Sequence, residues 1–179
     1  LDGEDTASHS TYRPVAVYAS DVNGDGITEL PRAVLMAGYK DTSSSDAVYM
    51  LDWYAYGIGK VPAKVATTYQ NISDAWSLLI DQKWHDRITA IKANDGGLSY
   101  VEFFEYRKDK MSIPLFNIYC ATGSNREYYA ERTDLIQLGQ TTQAIYFAKL
   151  TNEGEQSELA LTGDEIKARF SLVNQAWNN

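Results

Sequence analysis

The sequence has 179 residues, of which 44% are hydrophobic and 22% charged, enough for a packed core in one domain or in two small ones. Its formal net charge is −8, from 16 Lys and Arg against 24 Asp and Glu. This balance argues against nucleic acid as a partner, because that binding depends on basic side chains that neutralise phosphates. It is compatible with divalent cations. No apolar run approaches the roughly 20 residues that a membrane-spanning helix needs, so no transmembrane segment is predicted.

The first residue is Leu1 rather than Met, and no signal peptide is recognisable. We interpret this as a processed or excised form, with any targeting information lying upstream. The single cysteine, Cys120, excludes an internal disulfide. It lies in an apolar, strand-like run and is therefore predicted to be a buried, unreactive thiol.

The first 70 residues are predicted to form a β-meander of the size of one propeller blade. A polar lead-in covers residues 1–11. Four β-prone segments follow, at residues 14–19, 33–39, 47–56 and 61–69, separated by polar or glycine-rich turns. A loop rich in Asp, Asn and Gly connects the first two segments, and a solvated connector at 41–46 joins the second to the third.

The first of these loops has an oxygen ligand at every second position. The ligands are the side chains of Asp21, Asn23, Asp25 and Glu29 and the main-chain carbonyl of Ile27. Gly24 and Gly26 let the backbone curl so that these oxygens converge, because glycine tolerates positive φ. A calcium ion takes six to eight oxygens at roughly 2.3–2.6 Å, and the loop is predicted to bind one. A metal-free turn stays open as the alternative, since Asp and Asn side chains also bond to their own backbone.

The loop begins like an EF-hand and then departs from it. The bidentate Glu expected at the twelfth position is replaced by Arg32, and Pro31 obstructs a helix leaving the loop. The apolar, β-prone flanks favour a strand–loop–strand site instead.

At these residues the chain resembles the FG-GAP/VCBS repeats of integrin-like β-propellers, whose blades carry D-x-[DN]-x-D-G-x-x-[DE]-[LI] loops. The resemblance implies that Asp21, Asn23, Asp25, the Ile27 carbonyl and Glu29 bind calcium. The wider chain is similar to secreted or lipid-anchored proteins of Gram-positive gut bacteria, in which an FG-GAP-like part precedes a C-terminal α+β region.

Residues 71–179 are predicted to form an antiparallel sheet with short helices. The Asn-Asp-Gly-Gly sequence at 94–97 is typical of a hairpin turn. Thr162 and Glu165 form a capping box that opens a last helix. An apolar stripe predicts that this helix runs on along the sheet, through Ile166, Phe170, Val173 and Trp177. The expected fold class is α+β, mostly antiparallel β, with regions 1–70 and 71–179 either separate or packed as a single domain.

Other chemistry has weaker support in the sequence. His9 and His85 have no second His or Cys at zinc-ligand spacing. The carboxylates Glu102, Glu105 and Asp109 are candidates for a glycosidase pair but are interpreted as solvated surface charges. The aromatic residues Trp53, Tyr54 and Tyr56 are candidates for a sugar-stacking platform, with packing in a β-rich core as the preferred interpretation.

The function expected from these features is that of an extracellular, non-catalytic, calcium-binding interaction or adhesion module of a bacterial surface protein. Its partner would be an unknown protein or glycan at the cell surface, and an upstream lipid anchor would be one means of attachment. The alternatives are a carbohydrate- or cell-wall-binding module that uses the exposed aromatics and, ranked last, a glycoside hydrolase.

Overall fold

A computed structural model describes residues 14–39, 46–95, 98–108 and 110–173, which form two five-stranded antiparallel sheets. The predicted fold class, α+β with mostly antiparallel β, is confirmed. The sequence positions 1–13, 40–45, 96–97, 109 and 174–179 lie outside the described residues, and with them His9, Asp109, Trp177 and part of the predicted hairpin turn.

The first sheet has the strand order β1-β2-β3-β4-β10. Its strands are β1 (Leu30–Leu35), β2 (Tyr49–Ala55), β3 (Ala63–Asn71), β4 (Trp76–Leu79) and β10 (Phe170–Leu172). The strand β1 contains Pro31, which lacks an N–H, and it lies at the sheet edge, where one side of the strand needs no ladder hydrogen bonds. β1 to β4 form a four-stranded meander, to which the last strand of the chain adds a fifth member.

The second sheet has the strand order β5-β6-β7-β9-β8. Its strands are β5 (Ile88–Asp95), β6 (Leu98–Glu105), β7 (Ile113–Thr122), β8 (Ile136–Gln140) and β9 (Ala144–Leu150). The predicted hairpin is confirmed by the pairing of β5 with β6, from Ile88 opposite Glu105 to Asp95 opposite Leu98.

One hydrophobic core receives side chains from both sheets. The ring of Tyr69 in β3 lies 5.3 Å from the ring of Phe103 in β6, centroid to centroid, and 5.5 Å from that of Trp76. Phe103 in turn stacks on Phe116 at 4.9 Å. Cys120 is buried, as predicted. Strand β3 continues through position 70, and β4 and β10 beyond it belong to the first sheet, so residues on both sides of that position build the same core.

Helical structure is short and joins the strands. The helices are α1 (Arg126–Ala130) and α2 (Gly163–Arg169), with 3-10 turns at Gln82–Trp84, Gly123–Asn125 and Gly154–Gln156. Trp84 is fully buried, and its indole N–H donates to the carbonyl of Leu159 at 3.2 Å. The capping box that opens α2 is confirmed, with Thr162 accepting from the amide of Glu165 and the Glu165 carboxylate accepting from the amide of Thr162.

The predicted long C-terminal helix is wrong. Helix α2 ends at Arg169, and only Ile166 of the predicted apolar stripe lies within it. From Phe170 the chain becomes β10 and pairs with β4, whose edge is otherwise open on that side. The ring of Phe170 packs at 5.9 Å from that of Trp76 and at 5.6 Å from that of Tyr146. Tertiary pairing and aromatic packing therefore override the local helical pattern.

The predicted first strand is also wrong. Of residues 14–19 none is in a strand, and the segment meets the sheet only through one antiparallel bridge between Ser20 and Glu29. The second predicted segment, 33–39, is displaced, since its strand begins at Leu30 and ends at Leu35. The strand–loop–strand interpretation therefore holds on the exit side alone, where β1 and not a helix follows the loop.

Within the described residues, no helix combines the length and the apolar character needed to cross a membrane.

The close packing around Gly154, at the end of the second sheet, can be tested by substitution. A Cβ atom there would lie 2.5 Å from the carbonyl oxygen of Leu115 and 2.7 Å from Oγ1 of Thr151, both closer than any normal contact. We expect Gly154→Ala to lower the free energy of unfolding by about 1–3 kcal/mol, because a rigid backbone has to move. Gly163→Ala is the control, since its nearest neighbour is the flexible end of the Ile136 side chain. Urea unfolding of both variants checks the difference, and equal losses would contradict it.

Candidate metal centre

The Asp- and Gly-rich loop lies between Ser20 and Glu29, whose bridge closes it, and β1 begins at the next residue, Leu30. The bridge consists of two backbone hydrogen bonds, from the Ser20 amide to the Glu29 carbonyl at 3.1 Å and in the reverse direction at 2.9 Å. Gly24 and Gly26 have φ values of 76° and 85°, and an added Cβ would meet nothing within 4 Å at either position. The glycines are therefore required for their backbone conformation and not to relieve crowding.

Three carboxylates converge inside this loop. Asp21, Asp25 and Glu29 each place one carboxylate oxygen within 4.8 Å of those of the other two. Asp21 and Asp25 are exposed, whereas Glu29 has no solvent-accessible surface. Like charges at about 4 Å repel by about 1 kcal/mol in water and by about 4 kcal/mol in partly buried surroundings. A cation that lies among them would remove this repulsion.

Backbone amides also bind the two aspartates. Oδ1 of Asp21 accepts from the amides of Gly24 at 2.7 Å and Asp25 at 3.1 Å, and its Oδ2 accepts from the amide of Gly26 at 2.8 Å. Oδ1 of Asp25 accepts from the amide of Ile27 at 2.8 Å. These bonds are those of a metal-free turn. Oδ1 of Asp21 uses both of its lone pairs in them, whereas Oδ2 of Asp21 and Oδ1 of Asp25 each accept one of these bonds and have a second lone pair that a cation could bind.

Glu29 distinguishes the two interpretations. Its Oε2 accepts from the amide of Val22 at 2.9 Å, which joins the two ends of the loop. Its Oε1 is buried and has no hydrogen-bond partner among the residues that the structure describes. A turn held by Asp and Asn side chains does not need a buried glutamate, and leaving a charged oxygen buried without a partner is strongly unfavourable. A cation bound between Glu29 and the two aspartates would supply that partner.

The other two predicted ligands make hydrogen bonds within the loop. The amide nitrogen of Asn23 donates to Oδ2 of Asp25 at 2.9 Å, and its oxygen accepts from the Asp25 backbone amide at 3.1 Å. Ile27 lies in the loop with its side chain half exposed, and its amide is taken by Asp25. The structure thus brings together the three carboxylates among the five predicted ligands.

The aromatic candidates do not form one exposed surface. Trp53 has no accessible surface, and its indole N–H donates to Oγ1 of Thr68 at 2.8 Å. Tyr54 is half-buried, and Tyr56 is 57% exposed beyond the end of β2. Trp53 is therefore a packing residue, as the preferred interpretation held, and a stacking platform made of all three residues is not present.

The interpretation of Glu105 as a solvated surface charge is wrong. Glu105 is 8% exposed, accepts from the Ser157 hydroxyl and lies 3.6 Å from both Arg87 and Arg107. The Ser157 hydrogen bond and then the two arginines hold the pKa of Glu105 below its ordinary value, although burial acts in the opposite direction. The hairpin predicted from the sequence could have indicated that Arg87 and Glu105 lie close together. Its register places Glu105 opposite Ile88, the residue after Arg87.

Glu102 does not cooperate with Glu105. The two residues lie on opposite faces of β6, as the alternation of a strand predicts, with Val101, Phe103 and Glu105 on the buried side. Burial raises the pKa of Glu102. Two carboxylates on opposite faces of a sheet cannot flank one glycosidic bond, so they give no support to a hydrolase. His85, which was considered as a zinc ligand in the sequence analysis, lies 3.5 Å from Asp86 on the surface.

One shallow groove was not foreseen from the sequence. It lies where the loop after α1 passes β7 and β9, and it is lined by Leu98, Tyr119, Tyr129, Arg132, Leu135 and Lys149. Arg132 donates from Nε to Asp134 at 2.9 Å, and Lys149 lies 3.8 Å from the same carboxylate. Asp134 thus offsets much of the positive charge of the groove. Segments distant in the sequence form it, so no local motif indicates it.

The two glutamates of β6 give a matched test of the charge cluster. A carboxylate whose pKa is lowered on folding stabilises the fold above its unfolded value of 4.5, and that stability is lost as the pH falls through the folded pKa. We expect Glu105→Gln to lower the free energy of unfolding at pH 7 by about 1–3 kcal/mol, and to have little effect near the acid limit. Glu102→Gln should cause no such loss, because it removes a charge that burial disfavours. Chemical unfolding across pH measures both, and equal behaviour would refute the assignment.

Comparison of the chain with family models, with curated proteins and with solved structures finds no match. Its function is therefore inferred from the geometry and chemistry of its own residues.

Proposed function

We propose that this chain is a non-catalytic calcium-binding module in which Asp21, Asp25 and Glu29 hold one Ca²⁺ ion. The observation that supports this most directly is the fully buried Glu29 carboxylate, which lies beside two other carboxylates and whose Oε1 has no partner in the described part of the chain. Asn23 and the Ile27 carbonyl are proposed as further ligands once the ion is bound. The resemblance of the loop to FG-GAP/VCBS repeats supports the same ligand set.

Calcium fits this group better than the other common divalent ions. The three side chains that converge are carboxylates, with no imidazole or thiolate among them, which favours a hard cation over zinc. Magnesium demands near-ideal octahedral geometry and releases its waters reluctantly, whereas calcium accepts six to eight oxygens in irregular arrangements. Asp21 and Asp25 face solvent, so water can complete the coordination.

The bound ion would fasten the loop to the first sheet. Glu29 precedes Leu30, the first residue of β1, and its Oε2 already holds the amide of Val22 at the start of the loop. An ion on Oε1 would add the aspartates to this junction. An open site with three carboxylates belongs with extracellular modules, which bind calcium at about 0.1–1 mM. We therefore propose an interaction or adhesion role outside the cell or at its surface, with a protein or glycan partner.

A calcium titration of thermal stability tests the site. At a hundredfold excess over the dissociation constant, binding to the folded state alone adds about 2.7 kcal/mol. For a chain of this size that corresponds to a rise in Tm of roughly 5–10 °C. Asp25→Asn should remove most of the rise, whereas the control Asp86→Asn, on an exposed residue outside the loop, should retain it. A wild-type Tm that is the same in chelator and in about 100 mM calcium, a hundredfold excess over a dissociation constant of about 1 mM, would refute the proposal.

Glu29→Gln provides a second test, because we expect it to raise the Tm in chelator and to lower it, relative to wild type, in calcium. Without calcium the neutral amide removes a buried charge and can donate to the neighbouring aspartates, so we expect a higher Tm than wild type in chelator. With calcium the variant lacks a charged ligand, so its Tm should rise little and fall below that of wild type. Differential scanning calorimetry in both buffers checks whether the order of the two proteins reverses. A variant less stable than wild type in chelator would show that Glu29 has a different partner.

A further inference from the structure

The turn between β2 and β3 exposes an unusual amount of apolar surface. Ile58 and Val61 are 105% and 89% exposed, and Tyr56 at the end of β2 is 57% exposed. Turn residues are usually polar, and single exposed apolar residues elsewhere on a surface are ordinary. Here three of them lie within six consecutive positions, at the tip of a two-stranded projection.

The turn is an ordered structure. Gly59 has a φ of 70°, and the amide of Lys60 donates to the carbonyl of Gly57 at 3.1 Å. These features define a closed turn that holds the side chain of Ile58 away from the sheet. Side chains this exposed can enter an apolar layer without any rearrangement of the sheet.

The residues around the tip have the pattern of a membrane-interface segment. Lys60 lies within the turn, and Lys64 lies just behind it in β3, bound to Asp52 at 3.1 Å. A lysine side chain can keep its long apolar stem in the apolar layer while its charged amine contacts a lipid headgroup. Tyrosine prefers the same boundary, with its ring in the apolar layer and its hydroxyl in water. Because Asp52 offsets the charge of Lys64, the positive charge of this segment comes from Lys60.

The calcium loop lies at the same end of the first sheet. In the register of β1 with β2, Leu30 is opposite Tyr54, so the loop before Leu30 and the turn after Ala55 extend in the same direction. The flanks of the loop add two exposed apolar side chains, Tyr18 at 61% and Ile27 at 50%. Without a cation the three loop carboxylates would repel an anionic surface, and a bound Ca²⁺ would reduce their charge from −3 to −1.

We propose that the β2–β3 turn, residues 56–61, inserts into the interfacial layer of a lipid bilayer with anionic headgroups when calcium occupies the neighbouring loop. The calcium dependence rests on the proposed function, whereas the contact of Ile58 and Val61 with lipid rests on their exposure. The occupant is thus a membrane surface, and the bound ion reduces the repulsion that would otherwise keep this end of the molecule away from it.

Vesicle co-sedimentation tests the proposal with phosphatidylcholine vesicles that contain or lack phosphatidylserine, in calcium and in chelator. Wild type should sediment only with phosphatidylserine and calcium together. The double substitution Ile58→Ser with Val61→Ser should weaken binding by about tenfold or more, because burial of one aliphatic side chain contributes at least that factor. The control is Met111→Ser, a residue 90% exposed in the loop between β6 and β7, which should bind like wild type.

Thermal unfolding of the same samples separates the two proposals. If calcium raises the Tm but wild type does not sediment with vesicles, membrane insertion is refuted and the calcium site stands. If neither effect occurs, both proposals are refuted. Binding that is equal in the double variant and in wild type refutes the role of the turn. A wild-type dimer in sedimentation velocity that the double substitution dissociates would show that the turn contacts a second copy, which also refutes insertion.

Discussion

The buried carboxylate of Glu29 is the constraint around which the N-terminal end of this molecule is arranged. A carboxyl group without solvent contact needs partners for both oxygens, and the described residues supply one, the amide of Val22. In the proposed function, a cation is the partner of the second oxygen. Because Glu29 directly precedes the edge strand β1, whatever binds that oxygen also determines how firmly the loop is joined to the first sheet.

The packing of the two sheets determines the position at which the loop is joined to β1. Their shared core, in which Tyr69 of β3 contacts Phe103 of β6, holds the first sheet as a rigid base. Strand β10 closes that sheet on the side away from β1, so the beginning and the end of the described chain stabilise the same element. The register of β1 with β2 then sets the loop and the β2–β3 turn at one end of the sheet without any contact between the two being required.

What could be predicted from the sequence was encoded locally. The carboxylates of the loop stand in alternation with glycines, the β5–β6 hairpin has its turn residues, and Thr162 with Glu165 forms a capping box, so each is apparent within about ten residues. The loop motif therefore predicted which carboxylates converge. It could not predict the burial of Glu29, which depends on how the surrounding chain covers it.

Two of the errors, those at Phe170 and Glu105, share one cause, which is dependence on distant partners. Phe170 continues an apolar stripe of helical spacing, yet β4 offers it a strand to pair with and Trp76 and Tyr146 offer rings to pack against. Glu105 looks like a surface charge until Ser157 is brought next to it across 52 positions of sequence. Local propensity amounts to a few tenths of a kcal/mol per residue, and such contacts readily exceed it.

The edges of the first sheet also bear on where a partner can bind. An open strand edge invites pairing with another chain, but β1 carries Pro31 at one edge and β10 has only three residues at the other. Growth of this sheet by strand addition is therefore unfavourable on both sides. Its two faces are not equally free either, since one packs on the second sheet. The three carboxylates and the apolar turn both lie at one end of this sheet, which is where the proposed contacts would be made.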